Sequence, residues 1–438
     1  MSFGAKSFSV FKRDILLLVL NVLTSVVIAR KLGPDLLGLW VIVSLIPSYA
    51  EAFGRTKFDL AAVYFLGKKR FNENEVLYHL NVVSLVTGLA VTGLIFLFRG
   101  NIIQFLFSGD SNNLIFIYSI LPIIPLNFLC LNYSYLLISR EDIGYYNVMI
   151  VIQALVGPGG ACILLLISDL GLWGVIMSSV ASVLVALTLG IWRFNKINDN
   201  PKKIYKLNKS LLKEFFNFSY KLYLGGLICH LNIYFMKSVL SVYLSPAKVA
   251  FYSLAQDRAT LLDKLPNAVN VLLYPRVSNS NDLESSTSTT RAFRILLILS
   301  TFSALILATF IYPLVLVMYG ETYIPMVIPL IIILPGIITN GTTSVFTSYF
   351  TGTGRSDLIM KLSIFPFILQ IFLGIIFIQR YNIFGAAFSF TIAMTFYGAI
   401  QIHYFVKISG NSYKALIPTE EDFQYIIKFI KLKIKRNA

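Results

Sequence analysis

Residues 215–244 read FFNFSYKLYLGGLICHLNIYFMKSVLSVYL. The stretch is long enough to cross a bilayer, because a spanning helix needs about 20 apolar residues at about 1.5 Å each. A polar stripe recurs along it at helical spacing and consists of Ser219, Tyr223, Gly226, His230, Tyr234, Lys237 and Ser241. A charge near the bilayer centre costs roughly 3 kcal/mol or more. We therefore expect the stripe to face water or a polar ligand rather than lipid.

The composition of the whole chain also predicts a membrane protein. Of its 438 residues, 56% are hydrophobic and 13% are charged, and the mean hydropathy is +0.74. A soluble protein of this size carries a more charged surface. Strand-like alternation is absent, so we predict an all-α polytopic membrane protein with about 12 transmembrane helices. The basic start of the chain is interpreted as the flank of the first of these helices and not as a removed signal peptide.

The placement of charge predicts the topology. A net charge of +16 would suit a nucleic-acid partner, but most Lys and Arg fall in loops on one side of the predicted spans. The residues placed on the other side are Arg30, Lys31, Arg99, Lys248 and Arg380. This positive-inside bias predicts cytoplasmic termini and basic loops that face anionic lipid headgroups, with no nucleic-acid partner. The cysteines lie in apolar spans and are expected to be small core residues.

The two halves of the sequence repeat. Residues 29–40 (ARKLGPDLLGLW) match residues 241–252 (SVYLSPAKVAFY), and two shorter matches pair 139–143 with 354–358 and 172–175 with 383–386. Each half has six spans, so both halves enter the membrane from the same side. This predicts two six-helix bundles related by a pseudo-two-fold axis along the membrane normal, an arrangement typical of alternating-access transporters. The predicted domains are an N-terminal bundle at 1–193, a basic linker at 194–214, a C-terminal bundle at 215–405 and a basic tail at 406–438, whose segment 423–435 is amphipathic.

Charged residues within the predicted spans are candidates for function. In the span at 248–274 they are Asp257, Arg258, Asp263 and Lys264. Two interpretations are open there: a self-neutralising set of ion pairs, or a binding or gating surface. In the second span Glu51 and Arg55 are four residues apart and can pair along the helix. Lys57 and Asp59 follow them and are expected nearer the membrane interface.

Three segments carry a family resemblance. Residues 29–40, their counterpart 241–255, and LLYPRVSNS at 272–280 resemble the polysaccharide-export branch of the multidrug/oligosaccharidyl-lipid/polysaccharide exporter superfamily, nearest to Wzx-type flippases. The resemblance implies two six-helix bundles around a V-shaped cavity. It implies an undecaprenyl-pyrophosphate-linked oligosaccharide, moved from the cytoplasmic to the periplasmic leaflet of a bacterial inner membrane for O-antigen or capsule assembly. It also implies a polysaccharide polymerase and a chain-length regulator as partners. Many relatives carry an acidic residue before the basic one late in the seventh span, whereas here Met236 precedes Lys237.

The implied substrate needs cations for its phosphates and aromatic or hydroxyl groups for its sugars. The predicted substrate-binding residues are Tyr223, His230, Tyr234, Lys237, Arg258, Lys264 and Arg55. The candidates for coupling transport to a proton or sodium gradient are Asp257, Asp263 and Glu51, with Asp257 favoured because it shares a helical face with Lys264.

No catalytic residue, metal site or cofactor is predicted. The alternatives are a drug/cation antiporter of the same superfamily, which would favour a carboxylate-lined pocket, and a membrane polysaccharide polymerase, which would need a large outward loop. The short outward loops of this chain argue against the polymerase.

Overall fold

The computed structural model describes residues 3–197 and 205–424, and all regular secondary structure in those ranges is helical. The chain forms two compact units, Met1–Ala250 and Phe251–Ala438. The α-helices that lie wholly within the first unit are, in chain order, α1 (Phe3–Gly54), α2 (Phe58–Gly67), α3 (Glu73–Leu97), α4 (Arg99–Leu106), α5 (Leu114–Ile120), α6 (Ile123–Ser139), α7 (Ile143–Ala154), α8 (Gly160–Ile167), α9 (Leu172–Ile197) and α10 (Lys209–Tyr243). The unit boundary falls within α11 (Pro246–Ala259), which is followed by α12 (Lys264–Asn279), α13 (Asp282–Tyr319), α14 (Val327–Gly352) and α15 (Ser356–Ser409).

Nine helical stretches of the described residues are long and apolar enough to cross a membrane. Their outer surfaces carry large exposed hydrophobic side chains, such as Leu97 at 73% and Ile167 at 82% exposure. Exposed apolar surface of this kind is stable in lipid, where helices also satisfy their own backbone hydrogen bonds. The predicted all-α polytopic class is confirmed.

Two of the nine stretches contain a break at which the backbone leaves the helical conformation. In α1 the break is Gly33 (φ 71°), directly before Pro34, and in α15 it is Asn382 (φ 53°). Counting each of these stretches as two helices raises nine spans to eleven. The stretch made of α11 and α12 carries the charged residues described above and is not among the nine. The count of twelve therefore stays a prediction, with this charged stretch as the candidate for the twelfth span.

The three sequence matches between the halves all fall at turns between helices. Gly33 and Ser245 each precede a proline that starts a helix, and Gly38 lies so close to Pro246 that a Cβ would collide with the proline carbonyl. Arg140 and Arg355 each lie in the turn between two helices. Gly171 (φ 51°) precedes α9, and Asn382 occupies the matching place in α15. The matched sequences of the two halves therefore lie at corresponding turns between helices, as a parallel repeat requires.

The start of α10 packs into the first unit. Leu211 and Phe215 are buried with Phe58 and Phe65 of α2, and the Phe65 and Phe215 rings stack at 5.1 Å. The backbone N–H of Asn208 donates to His79 Nε2 at 2.8 Å. The first compact unit consequently continues beyond residues 194–214, where the sequence predicts a linker, and ends at Ala250. A division of the chain into two bundles at that linker stays a prediction.

The second unit has an aromatic core between α12, α13, α14 and α15. Phe346 stacks on Phe405 at 4.5 Å and on Phe293 at 5.0 Å.

The segment after α15 contacts α13 through an ion pair between Arg294 and Asp422, whose nitrogen and oxygen atoms lie 2.8 Å apart. Although burial opposes it, hydrogen bonds from Thr419 and the charge of Arg294 lower the pKa of Asp422. The predicted amphipathic segment 423–435 lies almost wholly outside the described residues.

Two serines test the predicted orientation. Ser108 and Ser210 are both exposed, so a cysteine at either place is reachable from its own side of the membrane. In a background without Cys130, Cys162 and Cys229, we expect an impermeant thiol reagent to label Ser108→Cys in intact cells and Ser210→Cys only after the membrane is opened. Labelling of Ser210→Cys but not Ser108→Cys in intact cells would reverse the predicted orientation.

Candidate functional site

Helix α10 lies against the break between α1 and α2, and its polar stripe faces that break. At this break the backbone of Lys57 adopts a left-handed conformation (φ 58°). Ser219 Oγ donates a hydrogen bond to the Lys57 carbonyl at 3.2 Å, and the Tyr223 hydroxyl donates to the Phe53 carbonyl at 3.1 Å. A Cβ on Gly226 would lie 3.2 Å from Lys57 Cε. This half of the stripe therefore faces protein, and the hydroxyl of Tyr223 satisfies a carbonyl that the end of α1 leaves unpaired.

The other half of the stripe contains the predicted cation. Lys237 is buried, at 8% exposure, about 10 Å along the helix axis from His230. Beside Lys237, Ser238 Oγ and the Tyr49 hydroxyl lie 2.6 Å apart and join α10 to α1. The half-buried rings of His230 and Tyr234 lie 5.8 Å apart between centroids. This end of α10 thus combines a buried ammonium with neighbouring rings, the groups that phosphates and sugars require.

Asn232, which sequence reasoning missed, lies between His230 and Tyr234 in the chain. Its Oδ1 is buried and has no hydrogen-bond partner among the described residues. A buried acceptor without a partner costs roughly 1–3 kcal/mol. A ligand that donates a hydrogen bond, such as a hydroxyl group, would remove that cost.

Arg55 lies in a network of charges in the first unit. Its guanidinium pairs with Glu51 at 2.8 Å, as the four-residue spacing predicts, and also with Asp59. The guanidinium lies 5.3 Å from the centre of the Tyr135 ring. The side chain of Asp59, a residue that the sequence predicts near the membrane interface, is only 3% exposed and belongs to this network. Two carboxylates compensate the charge of Arg55, which makes it a weaker phosphate ligand than the sequence implied.

The charged stretch of the second unit is divided by a short 3₁₀ segment, Thr260–Asp263, between α11 and α12. A 3₁₀ segment has three residues per turn, so positions on its two sides no longer share a face at the spacing of an α-helix. Asp257 and Lys264 are exposed, and Arg258 is half-buried with a buried Nε. The argument that favoured Asp257 assumed an unbroken helix between Asp257 and Lys264, so the role of Asp257 stays a prediction.

Asp263 has the more enclosed carboxylate. It is half-buried, and its Oδ1 is buried without a hydrogen-bond partner among the described residues. Helix α14 approaches it at Gly341, where a Cβ would lie 3.1 Å from Asp263 Oδ1 and 2.9 Å from Pro266 Cγ. Among the described residues no cation lies within ion-pair distance of the Asp263 carboxylate, although the charge of the neighbouring Lys264 acts on it. Both interpretations of the charged stretch therefore stay open.

Asn270, one helical segment beyond Asp263, is a polar contact that sequence reasoning missed. Its Nδ2 donates to Ser344 Oγ at 2.7 Å, and its Oδ1 accepts from Ser348 Oγ at 3.1 Å. A lone asparagine in an apolar span gives no periodic signal. Only the packing of α12 on α14 reveals that the two serines lie opposite it.

The predicted site residues belong to two different units. Arg55, Tyr223, His230, Tyr234, Lys237 and Glu51 lie in the first unit, and Arg258, Lys264, Asp257 and Asp263 lie in the second. In residues 3–197 and 205–424, no three His, Cys, Asp or Glu side chains are grouped so as to hold a metal ion.

The all-helical fold of the described residues, with its membrane-spanning stretches, defines a polytopic membrane protein. It superposes on the inward-facing conformation of a multidrug resistance MATE family transporter of the MOP superfamily with a TM-score of 0.76 and 15% identity, covering 90% of this chain and 94% of that chain. It superposes on the lipid II flippase MurJ with a TM-score of 0.68 and 16% identity, covering 94% of this chain and 89% of that chain. At these identities the likeness establishes the fold.

The sequence comparisons establish the family. Residues 27–328 match the family described as polysaccharide biosynthesis protein, and the chain belongs to that family. A candidate O-antigen transporter from Shigella flexneri is 24% identical over 381 residues, which cover 83% of this chain and 88% of the relative. The relatives are transporters and flippases by name and not enzymes, in agreement with the class predicted from the sequence.

The network around Arg55 predicts a contrast in stability between two aspartates. Asp59→Asn should lower the thermal stability of the purified protein strongly, because breaking a buried ion pair costs about 3–5 kcal/mol. The matched control is Asp357→Asn, which breaks a 3.6 Å pair with Lys361 whose side chains are each 69% exposed. An exposed pair contributes about 1 kcal/mol or less. Equal shifts of the unfolding temperature would contradict the structural role of Asp59.

Proposed function

We propose that the protein translocates lipid-linked oligosaccharides across the membrane for the synthesis of a surface polysaccharide. One observation carries the proposal: a member of the polysaccharide biosynthesis family places a buried lysine, Lys237, and two ring side chains on one transmembrane helix. A buried cation in a membrane helix is costly and indicates a functional role. The fold shared with MurJ and MATE transporters supports a mechanism in which two units alternate access to a substrate.

The substrate we infer is an undecaprenyl-pyrophosphate-linked repeat unit, moved from the cytoplasmic to the periplasmic leaflet. The polyprenyl tail can stay in lipid during the transfer, while the pyrophosphate and the sugars need a polar path. Cationic side chains replace the water lost by the phosphates, and hydroxyl, ring and amide groups replace the water lost by the sugars. The name of the relative from Shigella flexneri supports an O-antigen unit as the cargo.

The chemistry of the side chains suggests a division of roles. We assign the phosphates to Lys237 and Arg258, because a lysine offers a point charge and an arginine offers a fork of donors. We assign the sugars to His230 and Tyr234, with Asn232 Oδ1 as an acceptor for a sugar hydroxyl. Tyr223, Arg55 and Lys264 are secondary candidates. Tyr223 and Arg55 already have partners that fix them in the fold.

The location we propose is a bacterial inner membrane, with both termini in the cytoplasm. There the basic loops face anionic headgroups. A polysaccharide polymerase and a chain-length regulator are the partners we expect on the far side, since the translocated unit is their substrate. The drug/cation antiporter remains the rival function, and the transport assay below separates it.

The proposed function is tested by transport in proteoliposomes that contain a fluorescent lipid-linked oligosaccharide. The wild-type protein should move the lipid between leaflets, whereas Arg258→Ala should abolish the movement and Lys237→Ala should reduce it. Arg258→Lys should restore part of the activity, because it keeps the charge and loses the fork. Protein amounts and unfolding temperatures provide the control for folding. Transport of a cationic drug but not of the oligosaccharide lipid would favour the antiporter.

A triple substitution separates phosphate binding from charge balance at Arg258. If Arg258 only compensates nearby carboxylates, then neutralising Asp257 and Asp263 together with Arg258→Ala should restore transport. If Arg258 binds phosphate, the triple variant should remain inactive.

Coupling to an ion gradient is expected to depend on Asp263. A half-buried carboxylate oxygen without a partner is stabilised when it takes up a proton or a cation. Asp263→Asn should therefore remove the dependence of transport on an imposed proton or sodium gradient, while Asp257→Asn, at an exposed position, should retain it. Full gradient dependence in the Asp263→Asn variant would exclude this role.

A further inference from the structure

A groove lies between α12 and α13 in the second unit, away from the residues assigned to transport. It has a volume of about 740 Å³. Its floor is apolar and includes Leu273 and Leu296, and its rim carries Arg276, Glu284 and Arg291. Arg276 belongs to the LLYPRVSNS segment, to which the transport site assigns no role.

The length of α13 places the groove at the level of the lipid headgroups. The helix has 38 residues and is therefore about 57 Å long, whereas the hydrocarbon core of a bilayer is about 30 Å thick. Its charged first turns, which begin at Asp282, consequently extend out of that core. Apolar side chains beside the groove remain open to their surroundings, since Leu272 is 76% and Leu283 is 79% exposed. Exposed leucines next to arginines suit the boundary between acyl chains and headgroups.

We propose that this groove binds an anionic phospholipid with a single phosphate and a hydroxyl-bearing headgroup, such as phosphatidylglycerol. The phosphate lies between Arg276 and Arg291, because guanidinium groups bind phosphate through charge-assisted hydrogen bonds. Basic pockets between helices at the cytoplasmic surface are typical sites for anionic headgroups. The acyl chains lie along Leu272 and the apolar floor.

Glu284 decides which anionic lipid fits. Its Oε1 lies 3.8 Å from Arg276 Nη2, which is longer than a hydrogen bond, so Arg276 still has donors for a phosphate. A carboxylate accepts hydrogen bonds from glycerol hydroxyls and repels a second phosphate. A headgroup with two phosphates, such as the pyrophosphate of the proposed substrate or the two phosphodiesters of cardiolipin, therefore fits less well. The basic tail of the chain is also a poor occupant, since it would meet Arg276 and Arg291.

The test measures lipid binding to the purified full chain in detergent, for example by native mass spectrometry with defined lipids. Phosphatidylglycerol should bind more tightly than phosphatidylcholine, and Arg276→Gln with Arg291→Gln should weaken that binding by about tenfold or more. The matched control is Arg355→Gln, which removes an exposed arginine of the same unit that does not line the groove and should leave the affinity unchanged. Equal affinity for the two lipids, or an equal loss in the control, would refute the site.

Two further binding measurements test which lipid the groove prefers. Glu284→Gln should narrow the preference for phosphatidylglycerol over cardiolipin, because it removes the charge that repels a second phosphate; an unchanged preference would refute the role of Glu284. Undecaprenyl pyrophosphate should bind this groove more weakly than phosphatidylglycerol. If it binds more tightly and depends on the same arginines, the groove belongs to the substrate and the phospholipid proposal fails. Because the assay measures binding and not transport, its outcome is independent of the proposed function.

Discussion

The structure of the first unit depends on satisfying the backbone where a transmembrane helix breaks. Lipid offers no hydrogen-bond partners, so a carbonyl group that the end of α1 leaves unpaired must find a donor inside the protein. Helix α10 supplies one through Tyr223 at the Phe53 carbonyl. Ser219 adds a second bond at the Lys57 carbonyl, which also accepts from the backbone N–H of Leu60. These bonds, together with the burial of Phe215 beside α2, explain why α10 belongs to the first unit although a long basic loop precedes it.

Arg55 and Asp263, two residues that the sequence predicts to act in transport, have different surroundings. In the first unit Arg55 pairs with both Glu51 and Asp59, and a hydrogen-bonded network of this kind stabilises a fixed arrangement. In the second unit Asp263 keeps a buried oxygen without a partner in the described part of the chain, and so does Gln256 Oε1. Polar groups that the fold leaves unsatisfied carry a cost that a ligand or an ion can remove. For this reason Asp263, rather than the network around Arg55, is the stronger candidate for a moving or binding role.

Much of the helix order could be predicted from the sequence, because apolar runs mark the spans and because the two halves repeat. The first match between the halves, residues 29–40 with 241–252, contains the break at Gly33 and the turn before Pro246. Helical spacing identified the polar stripe of α10 but not that Ser219 and Tyr223 face the protein. The 3₁₀ segment Thr260–Asp263 could not be predicted, since helical spacing assumes an unbroken helix. The burial of Asp59 and the contacts of Asn270 depend on neighbouring helices, α6 and α14, that are distant in the sequence. The periodicity of a sequence predicts the helix face on which a residue lies, but not the neighbouring side chains that pack against it.

Helix α10 therefore carries two polar side chains in different surroundings. Near the middle of the helix Tyr223 satisfies the backbone of α1, and in its C-terminal part Lys237 is a buried basic residue. Fourteen residues separate them, which is about 21 Å along the helix axis. Effects of substitutions are usually additive when sites lie more than about 10 Å apart and share no partners. Loss of the Tyr223 hydroxyl should thus lower the amount of folded protein. Loss of the Lys237 charge should instead lower the rate of the proposed transport step, so a defect at one of these residues does not imply a defect at the other.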